Sequence, residues 1–232
     1  MFSPISTRRR SRVEPGSSFR LAAALSSHTD LEALAEDARE RFEALYERLP
    51  GWEVGMPQPA LTELADLGLI NGRILDAGCG SGENALFLAI RGFAVWGIDI
   101  SPSAIGMAQA KARDRNQPAA RFLIGDALRL ETLGMTFDTV IDSGLFHALT
   151  DQEQRLYAAS LHRVLCDGGL CHLLCFSDEE PGDTGPRRIR QQEICTAFAE
   201  GFEVLRIDAA RFLTRVNPEG ARAWLATVKK TL

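Results

Sequence analysis

The chain of 232 residues is 45% hydrophobic and 25% charged, a globular composition with enough apolar material for the core of one α/β domain. That excludes a disordered chain, a collagen-like fibre and a small disulfide-stapled scaffold, and no apolar run approaches the roughly 20 residues of a bilayer span. The net charge of −5 is unevenly placed: Arg8, Arg9, Arg10, Arg12 and Arg20 face only Glu14 at the start, leaving 21 basic against 30 acidic residues beyond position 20. An acidic body without a basic stripe argues against nucleic acid as a partner, because phosphate neutralisation supplies most of that affinity. The acid-poor head, broken by Pro4, Pro15 and Gly16, reads as a disordered basic tail over residues 1–20 rather than a transit peptide. Five cysteines (Cys79, Cys166, Cys171, Cys175, Cys195) without a Cys-x-x-Cys pair fit small buried hydrophobes in a reducing cytoplasm, and four scattered histidines suggest no metal.

Strand and helix patterns alternate along the chain. Leu31, Leu34, Ala35, Ala38, Phe42, Leu45 and Leu49 recur at helical spacing up to Pro50-Gly51. A shaped loop over residues 51–59 and a short helix through Leu67 follow. Strands are expected at 73–77, 94–99, 121–124, 137–142 and 170–176, with helices at 82–91 and from Pro102 to about Asn116. Ser101 caps the second of these, with Pro102 in its first turn. A further helix opens at Thr150 or Asp151 and ends before Asp167-Gly168-Gly169, and another covers about 190–199. Two last strands, 202–214 and 222–229, have no helix between them and should pair antiparallel. The pattern is a doubly wound sheet with a hairpin-like edge.

Ile74-Leu75-Asp76-Ala77-Gly78-Cys79-Gly80-Ser81-Gly82-Glu83 is a strand, a tight glycine turn and a helix start. Glu83 stands where a dinucleotide fingerprint carries its third glycine, and beside a helix N-terminus it would repel a pyrophosphate. Asp99 ends the second strand and can accept from both hydroxyls of a ribose. Asp126, ending the third strand, can accept from an exocyclic adenine amine.

These residues resemble the class I S-adenosylmethionine-dependent methyltransferases, over roughly residues 41–229. The resemblance implies a seven-stranded, mostly parallel Rossmann-like sheet with a terminal antiparallel strand pair. It also implies S-adenosylmethionine as cofactor, its methionine end against Asp76 and Gly78, Gly80 and Gly82, ribose on Asp99, and adenine between Ile100 and Ala127 beside Asp126. The organisation expected is a tail (1–20), a helical cap and lid (21–70) and a cofactor-binding core (71–232).

Asp142, Ser143, Phe146 and His147 leave the fourth strand where a ligand lies in an open α/β sheet, so they are candidates to face the transferable methyl group. Asp142 and His147 are the candidate catalytic residues; for a hydroxyl acceptor, His147 has the pKa class of a general base, against the alternative of a packing or capping histidine. Gly51-Trp52-Glu53-Val54-Gly55 with Pro57-Gln58-Pro59, the segment 142–149 and the loop 185–189 resemble the lid, fourth-strand and loop segments of thiopurine, thiol and halide methyltransferases. Ser143 departs from both branches, where Arg or Tyr is usual, and the Asp-Ser-Gly-Leu-Phe-His form resembles bacterial enzymes for small heterocyclic or quinone-like compounds. Trp52 is then a lid over cofactor and acceptor, or else a staple for the first helix. Arg187 is a candidate anchor for an anionic substrate group, or with Arg188 a solvated pair.

The expected activity is methyl transfer to a hydroxyl, thiol or nitrogen of a small aromatic or heterocyclic compound by a cytoplasmic monomer or homodimer, with no nucleic acid or membrane partner. A nicotinamide-dependent oxidoreductase and a methyltransferase fold used only for binding are the alternatives.

Overall fold

The computed structural model describes residues 28–231; the expected tail over 1–20 lies outside them. Seven strands form one sheet in the order β3-β2-β1-β4-β5-β7-β6. They are β1 (Arg73–Ala77), β2 (Ala94–Asp99), β3 (Ala120–Ile124), β4 (Phe137–Ser143), β5 (Leu165–Phe176), β6 (Phe202–Thr214) and β7 (Asn217–Lys230). The first five run parallel, and β7 lies antiparallel between β5 and β6. The helices are α1 (His28–Tyr46), α2 (Pro59–Asp66), α3 (Glu83–Ile90), α4 (Pro102–Asp114), α5 (Asp151–Val164) and α6 (Gln191–Ala197).

β1 and β4 are apolar on both faces because helices cover both sides, as parallel strands require. Ile74 and Ile141 pack with Leu61 and Leu64 of α2, Leu86 and Leu88 of α3 and Ile105 of α4. Leu75 and Val140 pack on the other side with Tyr157 and Leu161 of α5, Ile194 of α6 and Phe198. α1 lies over α4. Ser101 caps α4 by accepting from Ala104 N–H, and Thr150 opens α5 in a reciprocal capping box with Glu153. The terminal hairpin is longer than its apolar pattern suggests: β7 begins at Asn217, and Thr214 Oγ1 accepts from Asn217 N–H across the turn. β5 also begins five residues early, at Leu165, with a register shift against β4 between Phe137 and Thr139. Gly168, at φ 76°, accommodates that irregular start, which a run of Asp and Gly does not announce.

The chain passes from β1 toward β3 on one side and from β4 toward β5 on the other. The carboxyl ends of β1 and β4 therefore flank the point where strand order reverses, the crevice where open α/β sheets bind ligands.

Within the sheet, His172 of β5, in register with Ile141 of β4, is locked between layers. Its Nε2 lies 3.1 Å from the Leu69 carbonyl, which can only accept, so Nδ1 is left to accept from the Thr227 hydroxyl at 3.0 Å. The ring is neutral, and burial pushes its pKa down to about 4. Stability from this histidine is present above its unfolded value of about 6.5 and is lost as pH falls toward 4. His172→Leu, which leaves the carbonyl and hydroxyl unpaired, should lower unfolding free energy at pH 7 by about 1–3 kcal/mol. In urea titrations that deficit should shrink between pH 6.5 and 4, by at most about 1.4 kcal/mol per pH unit; a pH-independent deficit would show that the ring is not held neutral.

Candidate active site

β1 delivers Asp76 and then turns through Gly78, Gly80 and Gly82, all with φ between +54° and +86°. The left-handed backbone requires glycine, and at Gly80 space does too: a Cβ there would lie 2.9 Å from the Tyr46 hydroxyl. The turn is held by carboxylates. Asp99 Oδ2 accepts from Gly80 N–H and Oδ1 from Ser101 N–H, each at 2.9 Å, joining the glycine turn to the exit of β2. Each oxygen keeps a lone pair for a diol. Asp126 accepts from Leu128 N–H through Oδ1, while its Oδ2 is buried without a partner, a free acceptor at the end of β3 beside Ala127. Ile100 and Ala127 are half-buried at the ends of β2 and β3, as a flat base between them would need.

Negative charge accumulates around this turn. Asp76 is fully buried with neither carboxylate oxygen hydrogen-bonded, and its pKa is driven up to about 8 by burial and then by Asp142 and Asp99. Burial raises Asp99 too, with Glu53 adding to the effect, and pushes Asp142 up to about 7. Glu53 joins the group from the lid loop. Such a site disfavours a phosphate and is completed by a cation. A sulfonium nucleoside fits it, with Asp99 for its diol and Asp126 Oδ2 for its amine.

Glu83 does not play the part its position suggests. Its carboxylate is paired with Lys111 at 2.8 Å and with both Arg115 guanidinium nitrogens, because α4 presents the two cations one turn apart against the start of α3. Preference for a cationic over a phosphorylated ligand rests instead on Asp76, Asp99, Asp142 and Glu53.

The structure revises four expectations on the acceptor side. Asp142 has no accessible surface; Oδ1 accepts from Leu145 N–H at 2.9 Å and Phe146 N–H at 3.4 Å, so it shapes the turn carrying Ser143 to His147 and cannot itself reach an acceptor. Phe146 is also fully buried, stacked on Phe198 in the core under α5 and α6, because the turn rotates it away from the crevice. His147 sits between Phe176 and Phe212, with ring centroids 5.1 and 5.6 Å away. Its Nδ1 accepts from Phe176 N–H at 3.1 Å, so the proton of the neutral ring is on Nε2. Burial then lowers its pKa to about 3, and a base titrating between pH 6 and 8 is not what this histidine offers. Arg187 is committed to Asp151, Glu193 and the Leu149 carbonyl, tying the loop to α5 and α6 rather than awaiting a substrate anion.

Ser143 ends β4 half-buried beside the crevice, opposite Leu174. Trp52 donates from Nε1 to Tyr46 Oη at 3.2 Å and so staples the lid to α1. The residue that reaches the glycine turn is its neighbour Glu53, which accepts from Ser81 N–H and from Ser81 Oγ. Sequence reasoning missed Glu53, Tyr46, and Glu43, which accepts from Ser103 N–H and pairs with the Ser101 and Ser103 hydroxyls. The one signal was the Trp-Glu pair of the lid segment.

The profile of the methyltransferase-domain family matches residues 74–169, the segment that builds this crevice. The chain is 31% identical over 188 residues to a 2-heptyl-1-hydroxyquinolin-4(1H)-one methyltransferase of Mycobacteroides abscessus, covering 77% of this chain and 83% of that protein. It is 29% identical to a probable thiol methyltransferase of Arabidopsis thaliana, over 80% of this chain and 84% of the relative. A structure solved in work on the conversion of a disulfide bond into a thioacetal group during echinomycin biosynthesis superposes with a TM-score of 0.76 at 36% identity, covering 83% and 91% of the two chains. Fold, crevice and kinship together define a Rossmann-like methyltransferase. The chain belongs to the methyltransferases, and S-adenosylmethionine-dependent methyltransferases are among the solved structures that share its fold. Among the described residues no helix is long and apolar enough to cross a membrane, and no cluster of His, Cys, Asp and Glu could hold a metal.

Two substitutions test the charge arrangement. The Asp76 carboxyl stays protonated in the folded protein up to about pH 8, while the unfolded chain ionises it at about pH 4, so its cost grows between those values; Asp76→Asn should raise the melting temperature of the ligand-free protein at pH 8 and lose that gain by pH 4. No difference at pH 8 would mean that the carboxyl is compensated. Asp99→Asn replaces an acceptor facing the diol with a donor; calorimetry should show S-adenosylhomocysteine binding weakened at least about tenfold, and unchanged affinity would reject Asp99 as the diol acceptor.

Proposed function

We propose that the enzyme methylates a hydroxyl on a small aromatic or heterocyclic compound, with residues 21–70 acting as cap and lid over a catalytic core at 71–232. The observation that carries this reading is the relative named for a hydroxyquinolone, which matches this chain over 188 residues. The geometry supports it: His147, Phe176 and Phe212 form a mutually packed aromatic group beside Gly144, next to the end of β4, where a flat ring would find apolar walls.

S-adenosylmethionine supplies an electrophilic methyl group on a sulfonium. The chain's own part is to hold the nucleoside on Asp99 and Asp126, to exclude water with the lid, and to align the acceptor at the end of β4. With Nδ1 occupied, His147 presents a hydrogen rather than a lone pair, and it serves as a neutral donor to the acceptor oxygen. Deprotonation then belongs to the acceptor. A phenol with a pKa near 10 would be a poor substrate, and a heteroaromatic hydroxyl acidic enough to ionise near neutrality a good one. A thiol is the second reading, favoured by the thiol methyltransferase relative, and it too ionises without a base.

The test is a panel of hydroxylated heterocycles, phenols and thiols of graded pKa, followed by conversion of the methyl donor. The acidic limb of kcat/KM should move with the acceptor's own pKa. His147→Asn retains an acceptor for Phe176 N–H but loses the Nε2 hydrogen; it should lower turnover about tenfold on hydroxyl acceptors, as expected for one hydrogen bond to a charged group, and keep the limb. Loss of the limb would restore His147 as the base. No turnover across the panel, with intact cofactor binding, would favour a binding module.

A further inference from the structure

The lid brings one carboxylate to the glycine turn that nothing about the nucleoside requires. Glu53 lies on the loop between α1 and α2, and its side chain is only 7% exposed. Its Oε1 accepts from Ser81 N–H at 3.3 Å and lies 3.3 Å from where a Gly80 Cβ would be, so it crowds the glycine-turn surface that must stay bare for a ligand. Tyr46 Oη, 3.4 Å from the same oxygen, adds a second polar atom over Gly80.

The charge of Glu53 is incompletely answered. Its cation, Lys111, stands 3.8 Å away, beyond hydrogen-bond distance, and is held more closely by Glu83 at 2.8 Å. Glu53 also adds to the negative field that raises Asp99. A buried carboxylate in such surroundings is stabilised by a second cation that donates hydrogen bonds to it. Of the groups on S-adenosylmethionine, the sulfonium carries charge but no hydrogen-bond donor; the α-ammonium carries both.

We propose that Glu53 is the residue that reads the α-ammonium of the cofactor's amino-acid end, with the Tyr46 hydroxyl beside it, so that the lid itself completes the cofactor site. Closing the lid and recognising the amino acid are then one event: a nucleoside without the amino-acid end gains nothing from Glu53. The inference rests on S-adenosylmethionine as the donor and is independent of which acceptor is methylated.

Calorimetric binding of two ligands tests it on the full chain: S-adenosylhomocysteine, which keeps the ammonium, and 5′-methylthioadenosine, which keeps the nucleoside thioether and lacks the amino acid. Glu53→Gln, similar in size and still able to accept from Ser81 N–H, should weaken S-adenosylhomocysteine about tenfold or more and change methylthioadenosine less than twofold. Glu53→Asp, which keeps the charge and shortens its reach, should fall between. Equal weakening of both ligands would overturn the proposal and make Glu53 a latch that only closes the lid; unchanged binding of S-adenosylhomocysteine would overturn it as well. Should neither variant fold, the deaminated analogue of S-adenosylhomocysteine tests the wild-type protein, where a loss of less than twofold overturns the assignment. Failure of the wild-type protein to bind S-adenosylhomocysteine would instead remove the cofactor on which the inference stands.

Discussion

In the turn between β1 and α3, backbone N–H groups end on carboxylates contributed by other parts of the chain. Gly80 N–H donates to Asp99 at the end of β2, and Ser81 N–H donates to Glu53 on the lid. Left-handed glycines point these donors outward, where a regular strand or helix would have paired them with carbonyls. The loop is held by backbone bonds from Cys79 to Ile98 and from Gly82 to Cys79 and, at Gly80 and Ser81, by acids; acids gathered in a buried place repel one another. Asp76 and Asp142 at the two strand ends add to that repulsion. A cationic nucleoside relieves it, so the feature that shapes the loop also selects the ligand.

The acceptor side obeys the opposite constraint, since its polar groups are already spoken for. Asp142 closes the turn after β4, His147 ties that turn to the end of β5, and Arg187 joins the following loop to α5 and α6. Each looks reactive by residue type, and each is used to hold backbone in place. Rigidity at the acceptor site suits a displacement in which alignment supplies much of the rate. Among the described residues, the buried side-chain atoms left without partners are both oxygens of Asp76, Oδ2 of Asp126, the Tyr157 hydroxyl and, on the acceptor side, the second oxygen of Asp142. Buried polar groups left without partners lower stability, and three of the four residues concerned stand at strand ends that rim the crevice.

The cap is bound to this rim by polar contacts at several points. Glu43 reaches the N-terminus of α4, Tyr46 stands over Gly80, Glu53 reaches Ser81, and Gln58 makes two hydrogen bonds with the Leu213 backbone on β6. Most of these partners are on the loops that rim the crevice. Within the cap, α1 is only half-buried and is joined to the core chiefly by polar contacts, so it can separate at lower cost than α2, whose Leu61 and Leu64 share the apolar core.

Local regularity made much of the protein legible in its sequence. Alternating apolar runs and turns located the strands and helices, Ser101 and Thr150 announced their helices, and Gly-x-Gly-x-Gly between a strand and a helix located the glycine turn, with Asp99 and Asp126 at the following strand ends. These features depend on neighbours within a few residues or on the repeating strand–helix unit, and one chain order satisfies them. Tertiary structure alone decided the fate of side chains whose partners lie far along the chain. Whether His147 is a base depends on which ring nitrogen meets Phe176, 29 residues on, and Glu83 is silenced by Arg115, 32 residues away. Glu53 becomes part of the site only because the lid folds back 28 residues to Ser81. Residue type states what a group can do; the direction of a turn and the nearest opposing charge decide what it does, and neither is written in spacing.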